Sequence, residues 1–120
     1  MADRRLFKLP LDPERIEAVK RYFADLEDRR ETFERGLALE RMNAETAWLD
    51  EAEPALYYLH EEHEAYPADV DEADMNEQLR ELSAEHHEFF QRVTAPGHEH
   101  PDDLTEFERL FSASARDRIE

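Results

Sequence analysis

The sequence contains no cysteine and only two glycines, and it has no long apolar run. Without cysteine there is no disulfide, no Cys-ligated zinc and no thiol nucleophile. No apolar stretch reaches the about 18 residues that a membrane-spanning helix needs. The first ten residues, MADRRLFKLP, lack the apolar core of a signal peptide. We therefore expect a cytoplasmic protein.

Lysine is scarce as well, because Lys8 and Lys20 are the only lysines among the 15 basic residues. Acidic residues number 32, and the formal net charge is −17. Such a surface repels phosphate backbones and anionic lipids, so we expect neither nucleic acid nor membrane as a partner. Arginine is more weakly hydrated than lysine and pairs with carboxylates through two hydrogen bonds. This composition predicts a halophilic archaeal source and a surface that holds hydrated salt cations.

The aromatic residues and clear periodicity predict a folded domain rather than a disordered acidic chain. The side chains of RRLFKLPL alternate, which indicates a short strand over 4–11. Asp12 and Pro13 follow as a helix cap and a first helical residue. Apolar residues at spacings of three and four then predict a helix from about 13 to 36–40, with Gly36 as a weak point or an end.

The period changes to alternation in 43–62, where two short strands joined by the turn EAEP indicate a hairpin. After a linker with Pro67, a second helix is predicted to open at residue 70 or 71. The loop 94–103 contains two prolines and a glycine, which exclude regular structure. The apolar stripe of the second helix consists of Met75, Leu79, Leu82, His86, Phe89 and Val93.

The segment 104–115 is either a last strand, which its alternation favours, or a short helix, and the tail 116–120 is expected to fray. The order strand, helix, strand, strand, helix, strand predicts a single α+β domain over 1–120 with the ferredoxin-like βαββαβ fold. Each helix has one apolar stripe, so both pack on one face of an antiparallel sheet. A second copy of the chain is the simplest cover for the other face, which predicts a homodimer.

Three segments resemble a known family: LPLDPERIEAVKRYFADLEDRR, AETAWLDEAEPALYYLHEE and AEHHEFF. They are similar to small uncharacterised proteins of salt-loving archaea in the dimeric α/β barrel superfamily. The matching motifs are Glu45–Leu49, Leu56–Tyr58 and Glu85–His86, within residues 4–93. The resemblance implies a ferredoxin-like fold and a dimer formed sheet to sheet. It implies no activity, because that family has none assigned.

The stretch YYLHEEHEAY suggests half of a metal site, because His60 and His63 stand three residues apart among glutamates. Two histidines at this spacing chelate one ion only on a helix, whereas the segment is predicted as strand. The spacing also differs from that of the HExxH motif. We therefore expect no cofactor and no structural metal, with His60 and His63 as the alternative ligands. His98 and His100 belong either to a plain loop or to a loosely held metal.

His86 differs because it occupies a position of the apolar stripe, whereas His87 is expected to be exposed. Two interpretations remain open. His86 is either a core histidine satisfied by a backbone carbonyl or by a buried tyrosine such as Tyr57 or Tyr58, or a general base in a pocket between helices and sheet. The aromatic residues likewise suit a core, a dimer interface or a pocket. The candidate pocket residues are Trp48, Tyr58, His60 and His86, of which His86 is the catalytic candidate.

Two functions from different classes follow. The first is a small dimeric binding or interaction module without chemistry, working in a halophilic cytoplasm. The second is a cofactor-free or metal-assisted enzyme that takes an unidentified small molecule near His86. A solid helix–sheet interior favours the module, and an open pocket of roughly a few hundred Å³ with convergent polar groups favours the enzyme. Because the sequence shows no paired nucleophile and base, the module is preferred.

Folding is expected to depend on salt. Compaction concentrates the net charge of −17 and therefore its self-repulsion. The Debye length falls from about 30 Å at about 0.01 M to about 3 Å at about 1 M ionic strength, so salt confines the repulsion to near neighbours. Circular dichroism should show structure gained and a higher unfolding temperature in molar salt. Equal stability in dilute buffer and in molar salt would contradict the halophilic interpretation.

Overall fold

The computed structural model describes residues 3–97 and 104–119. Its helices and strands, in chain order, are β1 (Asp3–Pro10), α1 (Ile16–Asp28), α2 (Arg30–Glu40), β2 (Met42–Asp50), β3 (Ala55–Glu62), α3 (Glu77–Val93) and β4 (Thr105–Phe107). None of the helices within these residues combines the length and the apolar character needed to cross a membrane.

The four strands form one antiparallel sheet in the order β2-β3-β1-β4. β1 and β3 pair along their whole length, from Asp3 opposite Glu62 to Pro10 opposite Ala55. β2 extends the sheet beyond β3, and β4 extends it beyond β1. Because helices follow β1 and β3, this is the ferredoxin-like arrangement. The predicted α+β fold is therefore confirmed.

The helices cover one face of the sheet, and the hydrophobic core lies between them and the strands. Phe7 of β1 stands opposite Tyr58 of β3, and both side chains enter this core. They pack with Val19 of α1 and with Phe89 and Val93 of α3. Burial of each such side chain stabilises the fold by about 1.5–3 kcal/mol, so this layer provides the main driving force for folding.

The other face of the sheet, which we call the open face, carries large apolar side chains that remain partly or largely exposed. Trp48 is 52% exposed and Phe107 is 39% exposed. The ring of Phe107 lies 6.3 Å from the ring of Tyr57, which in turn pairs with Trp48 across β2 and β3. Members of the open face are Leu6, Trp48, Tyr57, Leu59 and Phe107.

The first predicted helix starts as expected but is divided in two. Asp12 caps it by accepting a hydrogen bond from a backbone N–H at 3.0 Å, and Pro13 opens a 3-10 turn that leads into α1. The chain then leaves helical geometry at Arg29, with φ −115° and ψ 24°. The Arg29 guanidinium donates to Glu85 on α3 at 2.5 Å, so the break between α1 and α2 is tied to a distant helix.

Gly36 lies inside α2 rather than at a helix end. A Cβ atom at this position would lie 3.0 Å from Cδ1 of Leu79, so the missing side chain lets α2 approach α3 closely. The helix ends instead at Glu40, because the next residue, Arg41, has a left-handed backbone with φ 65°. The role of Gly36 is therefore helix packing.

The second predicted helix begins later than expected. Asp71 caps only a 3-10 turn, Glu72–Asp74, through a hydrogen bond to a backbone N–H at 3.0 Å. Met75 is extended, so this turn does not continue into the helix. Asn76 provides the true cap of α3 by accepting from the Leu79 N–H at 2.8 Å. The predicted start at residue 70 or 71 is wrong because Asn76, rather than Asp71, caps the helix.

The last segment forms a strand of only three residues. β4 pairs with β1, with Phe107 opposite Leu6, and 108–115 has no regular secondary structure. The short-helix alternative for 104–115 is therefore excluded, and the strand is shorter than predicted. Arg116–Arg118 forms a 3-10 turn in the tail that was expected to fray.

The chain leaves α3 beside the end of β1. The Ala95 N–H donates to the Pro10 carbonyl at 3.0 Å, which closes the core at this corner. Residues 94–97 contain a single bridge residue and a turn, in agreement with the predicted loop. The remainder of that loop, including His98 and His100, lies outside the described residues.

Candidate functional site

Strand alternation decides which side chains face the helices. Tyr58 of β3 belongs to the core and stands opposite Ala47 of β2, and the next inward pair is His60 opposite Glu45. Residues two apart on a strand share a face, so Glu45, Tyr58 and His60 all point toward the helices. Trp48 is adjacent to Ala47 and therefore belongs to the open face.

A large cleft, which we call the main cleft, lies between the α1–α2 pair and strands β2 and β3. Its volume is about 1180 Å³, which is ample for a small molecule. Phe23, Phe33 and Leu56 contribute to an apolar lining. The charged and hydroxyl side chains that also line it include Lys20, Glu27, Arg30, Glu34, Arg41, Glu45 and Tyr58.

A second cavity of about 310 Å³, the side cavity, is lined by residues of α2 and α3. His86 and Gly36 contribute to its wall. Glu45 lines both the main cleft and the side cavity, as do Phe33 and Leu37. Glu45 therefore stands where the two spaces come together.

Glu45 has the electrostatics of an acid–base group. Burial raises the pKa of its carboxyl group to about 7, and the negative charge of Glu40 adds to the rise. Its side chain is only 16% exposed, and Nε2 of His60 lies 4.0 Å from its Oε1, too far for a hydrogen bond. At neutral pH such a carboxyl group exists in both protonation states, so it can give or take a proton.

The Tyr58 hydroxyl is buried without a hydrogen-bond partner among the described residues. Burial raises its pKa well above the ordinary value, and the charges of Glu45 and Tyr22 act in the same direction. The hydroxyl is therefore neutral and keeps its proton. Because buried polar groups are almost always paired, this unpaired hydroxyl is an exception, which an ordered water or a ligand oxygen that reaches it would satisfy.

His86 is paired with a tyrosine, which is one of the partners expected for a core histidine, and that tyrosine is Tyr22 rather than Tyr57 or Tyr58. The Tyr22 hydroxyl lies 2.5 Å from Nδ1 of His86. Burial raises the pKa of Tyr22 to about 12 and lowers that of His86 to about 4. The hydroxyl is thus the donor, and His86 is a neutral acceptor at pH 7. His87, the next residue, is exposed.

His60 and His63 have separate surroundings. The His60 ring packs 4.9 Å from the Phe7 ring, and burial lowers its pKa. His63 is exposed beyond the end of β3, where its Nδ1 accepts from the Ala65 N–H at 3.0 Å. In the part of the chain that the structure describes, no group of three or more His, Asp or Glu side chains is arranged to hold a metal ion.

The structure distributes the four predicted pocket residues over different places. Tyr58 lines the main cleft and His86 lines the side cavity. Trp48 borders the main cleft from the edge strand β2, although its side chain is largely exposed. Among the described residues, neither lining includes His60, which lies beside Glu45. Glu45 was not among the predicted site residues, although its alternation with Thr46 and Trp48 offered a signal.

The chain belongs to a family of unknown function (DUF6176), whose model matches residues 2–112. No curated protein matches the chain in sequence.

One solved structure similar to this chain is that of L-rhamnose mutarotase from Formosa agariphila. The TM-score is 0.57 and the sequence identity is 17%, over 93% of this chain and 99% of the mutarotase chain. At this identity the likeness shows the fold alone. It confirms the predicted ferredoxin-like fold, while the dimer and the halophilic archaeal source stay predictions.

Glu45→Gln should change how stability depends on pH. The folded-state pKa of about 7 lies above the ordinary value of 4.5, so the stabilisation by the protonated form is complete below pH 4.5 and is lost as pH rises through 7. This loss amounts to at most about 3 kcal/mol. Urea unfolding at constant salt from pH 4.5 to 8.5 should therefore show a smaller decline for the variant than for the wild type.

His86 contributes the opposite slope, because its lowered pKa makes stability rise with pH between about 4 and 6.5. The wild type and Glu45→Gln share this contribution, so it cancels when their free energies of unfolding are compared at each pH. The matched control is Glu88→Gln, at an exposed position of α3, which should keep the wild-type pH profile. If Glu45→Gln also shows the wild-type dependence of stability on pH, the pKa of the Glu45 carboxyl group is not raised by burial.

Proposed function

We propose that this member of the DUF6176 family is a cofactor-free enzyme that moves protons on a small polar molecule bound in the main cleft. The single observation that carries the proposal is the buried Glu45 carboxyl group near an unpaired Tyr58 hydroxyl in the same cleft wall. An open cleft with convergent polar groups is the feature that separates an enzyme from a plain interaction module.

Glu45 is the acid–base group in this proposal. With a pKa of about 7, it takes a proton from one ligand atom and returns a proton to another without a large energetic penalty for either form. Tyr58 donates its hydroxyl hydrogen to a ligand oxygen and so holds the ligand in place. Both groups belong to neighbouring strands of a paired sheet, which limits their movement.

The reaction class suggested by the fold relative is the interconversion of sugar anomers. The likeness to an L-rhamnose mutarotase supports a hydroxyl-rich ligand but carries no residue assignment. In such a reaction the anomeric hydroxyl loses one proton and the ring oxygen gains one as the ring C–O bond opens. Closure on the other face reverses both transfers, so a carboxyl group that works in both directions balances the cycle.

His86 has a positioning role in this proposal. With a pKa of about 4 it is neutral at pH 7, and its Nδ1 already accepts from Tyr22. It therefore supports the packing of α1 against α3 and lines the side cavity behind Glu45.

The proposal is tested by NMR exchange spectroscopy on a panel of neutral and anionic aldoses, including L-rhamnose, with anomer exchange rates as the readout. Wild-type protein should accelerate exchange of at least one sugar. Glu45→Gln should lose about 10²-fold or more of that acceleration, the usual contribution of general acid–base catalysis. Glu88→Gln is the surface control. If Glu45→Gln still accelerates exchange, Glu45 is not part of the mechanism. If the wild-type protein accelerates exchange of no aldose, the proposed interconversion of sugar anomers is overturned.

We also propose that the protein is a homodimer in a salt-rich cytoplasm, formed through the open face. Two copies of a chain with net charge −17 repel each other, so contact requires a surface that is apolar. The open face is such a surface, and exposed apolar patches of this kind are uncommon on stable monomers. The resemblance to dimeric α/β barrels supports the same partner.

Light scattering in molar salt at micromolar concentration should give twice the 14.3 kDa mass of one chain. Trp48→Glu should shift the mass toward one chain, because it places a charge within the apolar contact. The control is Glu88→Gln on the helix side, which should leave the mass unchanged. A single-chain mass for the wild type would show that the open face has another role.

A further inference from the structure

Three basic side chains line the main cleft, and they differ in their partners. Lys20 Nζ lies 2.7 Å from a carboxylate oxygen of Glu51, and the Arg30 guanidinium lies 2.6 Å from a carboxylate oxygen of Glu27. For Arg41, no carboxylate of the described residues lies within ion-pair distance. Of the three basic side chains in the cleft lining, Arg41 is therefore the one that no carboxylate of the described residues neutralises.

The charge balance of the main cleft also differs from that of the whole chain. Its lining contains three basic residues, Lys20, Arg30 and Arg41, and three acidic residues, Glu27, Glu34 and Glu45. The acidic excess of the surface is therefore absent where a ligand would enter. A cavity with this balance and one cation without a partner accepts an anion far more readily than the surrounding surface does.

The backbone at Arg41 gives an independent reason to look at this side chain. Arg41 ends α2 with φ 65°, the left-handed conformation in which glycine is strongly favoured. Any residue with a Cβ atom is less favourable than glycine here, so backbone preference does not explain why arginine occupies the position. Residues retained in such conformations cluster at functional sites.

We infer that Arg41 is a binding residue that takes the anionic group of the ligand, and that the ligand class is a small polyhydroxy molecule carrying a carboxylate or a phosphate. The inference rests on the proposed function, because it concerns the same cleft. A guanidinium offers paired N–H donors that match both kinds of oxyanion. Arg41 and Glu45 lie four residues apart, across the turn into β2, so an anion bound by Arg41 would place the rest of the ligand toward Glu45.

The test is ligand-observed NMR with three probes of the same ring: D-glucuronate, D-glucose 6-phosphate and neutral D-glucose. The full chain is used at one fixed salt concentration. Wild-type protein should bind at least one anionic probe at least tenfold more tightly than D-glucose. The two anionic arms then distinguish a carboxylate site from a phosphate site.

Arg41→Gln should lose at least tenfold in affinity for the preferred anion and gain nothing for D-glucose. The matched control is Arg21→Gln, which makes the same charge change at an exposed position of α1 outside both cavities. Arg41→Gly provides the folding control, because glycine suits the left-handed backbone; it should keep or raise the unfolding temperature while losing the anion.

Equal binding of the neutral and anionic probes would overturn the inference, as would no binding of either anion or unchanged binding by Arg41→Gln. These outcomes are separable from failure of the proposed function. Anion binding that depends on Arg41 without any effect of Glu45→Gln on anomer exchange would retain the ligand class and remove the chemistry. Acceleration of neutral sugars that depends on Glu45 but not on Arg41 would retain the acid–base chemistry and remove the anionic ligand class.

Discussion

The register between β2 and β3 is the constraint on which the rest of the molecule depends. One face of this pair enters the core and the other is open, so a shift of one residue would exchange the two sets of side chains. A bulge between Met42 and Ala44 sets the phase. Because of that extra residue, Met42 is buried at the sheet end and Glu45, three residues later, also faces the helices. The bulge therefore places the acid in the cleft.

Placing a carboxyl group there has an energetic cost that the fold must offset. Removing a charged carboxylate from water is unfavourable, and the rise in the pKa of Glu45 measures how strongly the neutral form is preferred. The layer formed by Phe7, Val19 and Phe89 supplies the compensating apolar burial. Apolar burial in this layer thus offsets the unfavourable placement of the carboxyl group, as at many functional sites.

Much of the fold follows from local patterns, and what escapes prediction depends on distant contacts. The hairpin and the cap at Asp12 are encoded by neighbouring residues. The break at Arg29 is tied to an ion pair with Glu85, 56 positions along the chain, which no local pattern contains. Alternation in β2 was visible, but the inward face could not be assigned without the bulge. Trp48 was therefore placed in the pocket, and Glu45 was overlooked.

The surface and the cleft respond to salt through different physics. Exposed carboxylates separated by more than a Debye length are screened, so salt acts on the repulsion that arises from the net charge of −17. Glu45 is perturbed chiefly by burial rather than by its charged neighbours, and burial is not screened by mobile ions. A chain of this composition can therefore use salt to stabilise its fold while the acid–base chemistry of its interior stays close to neutral pH.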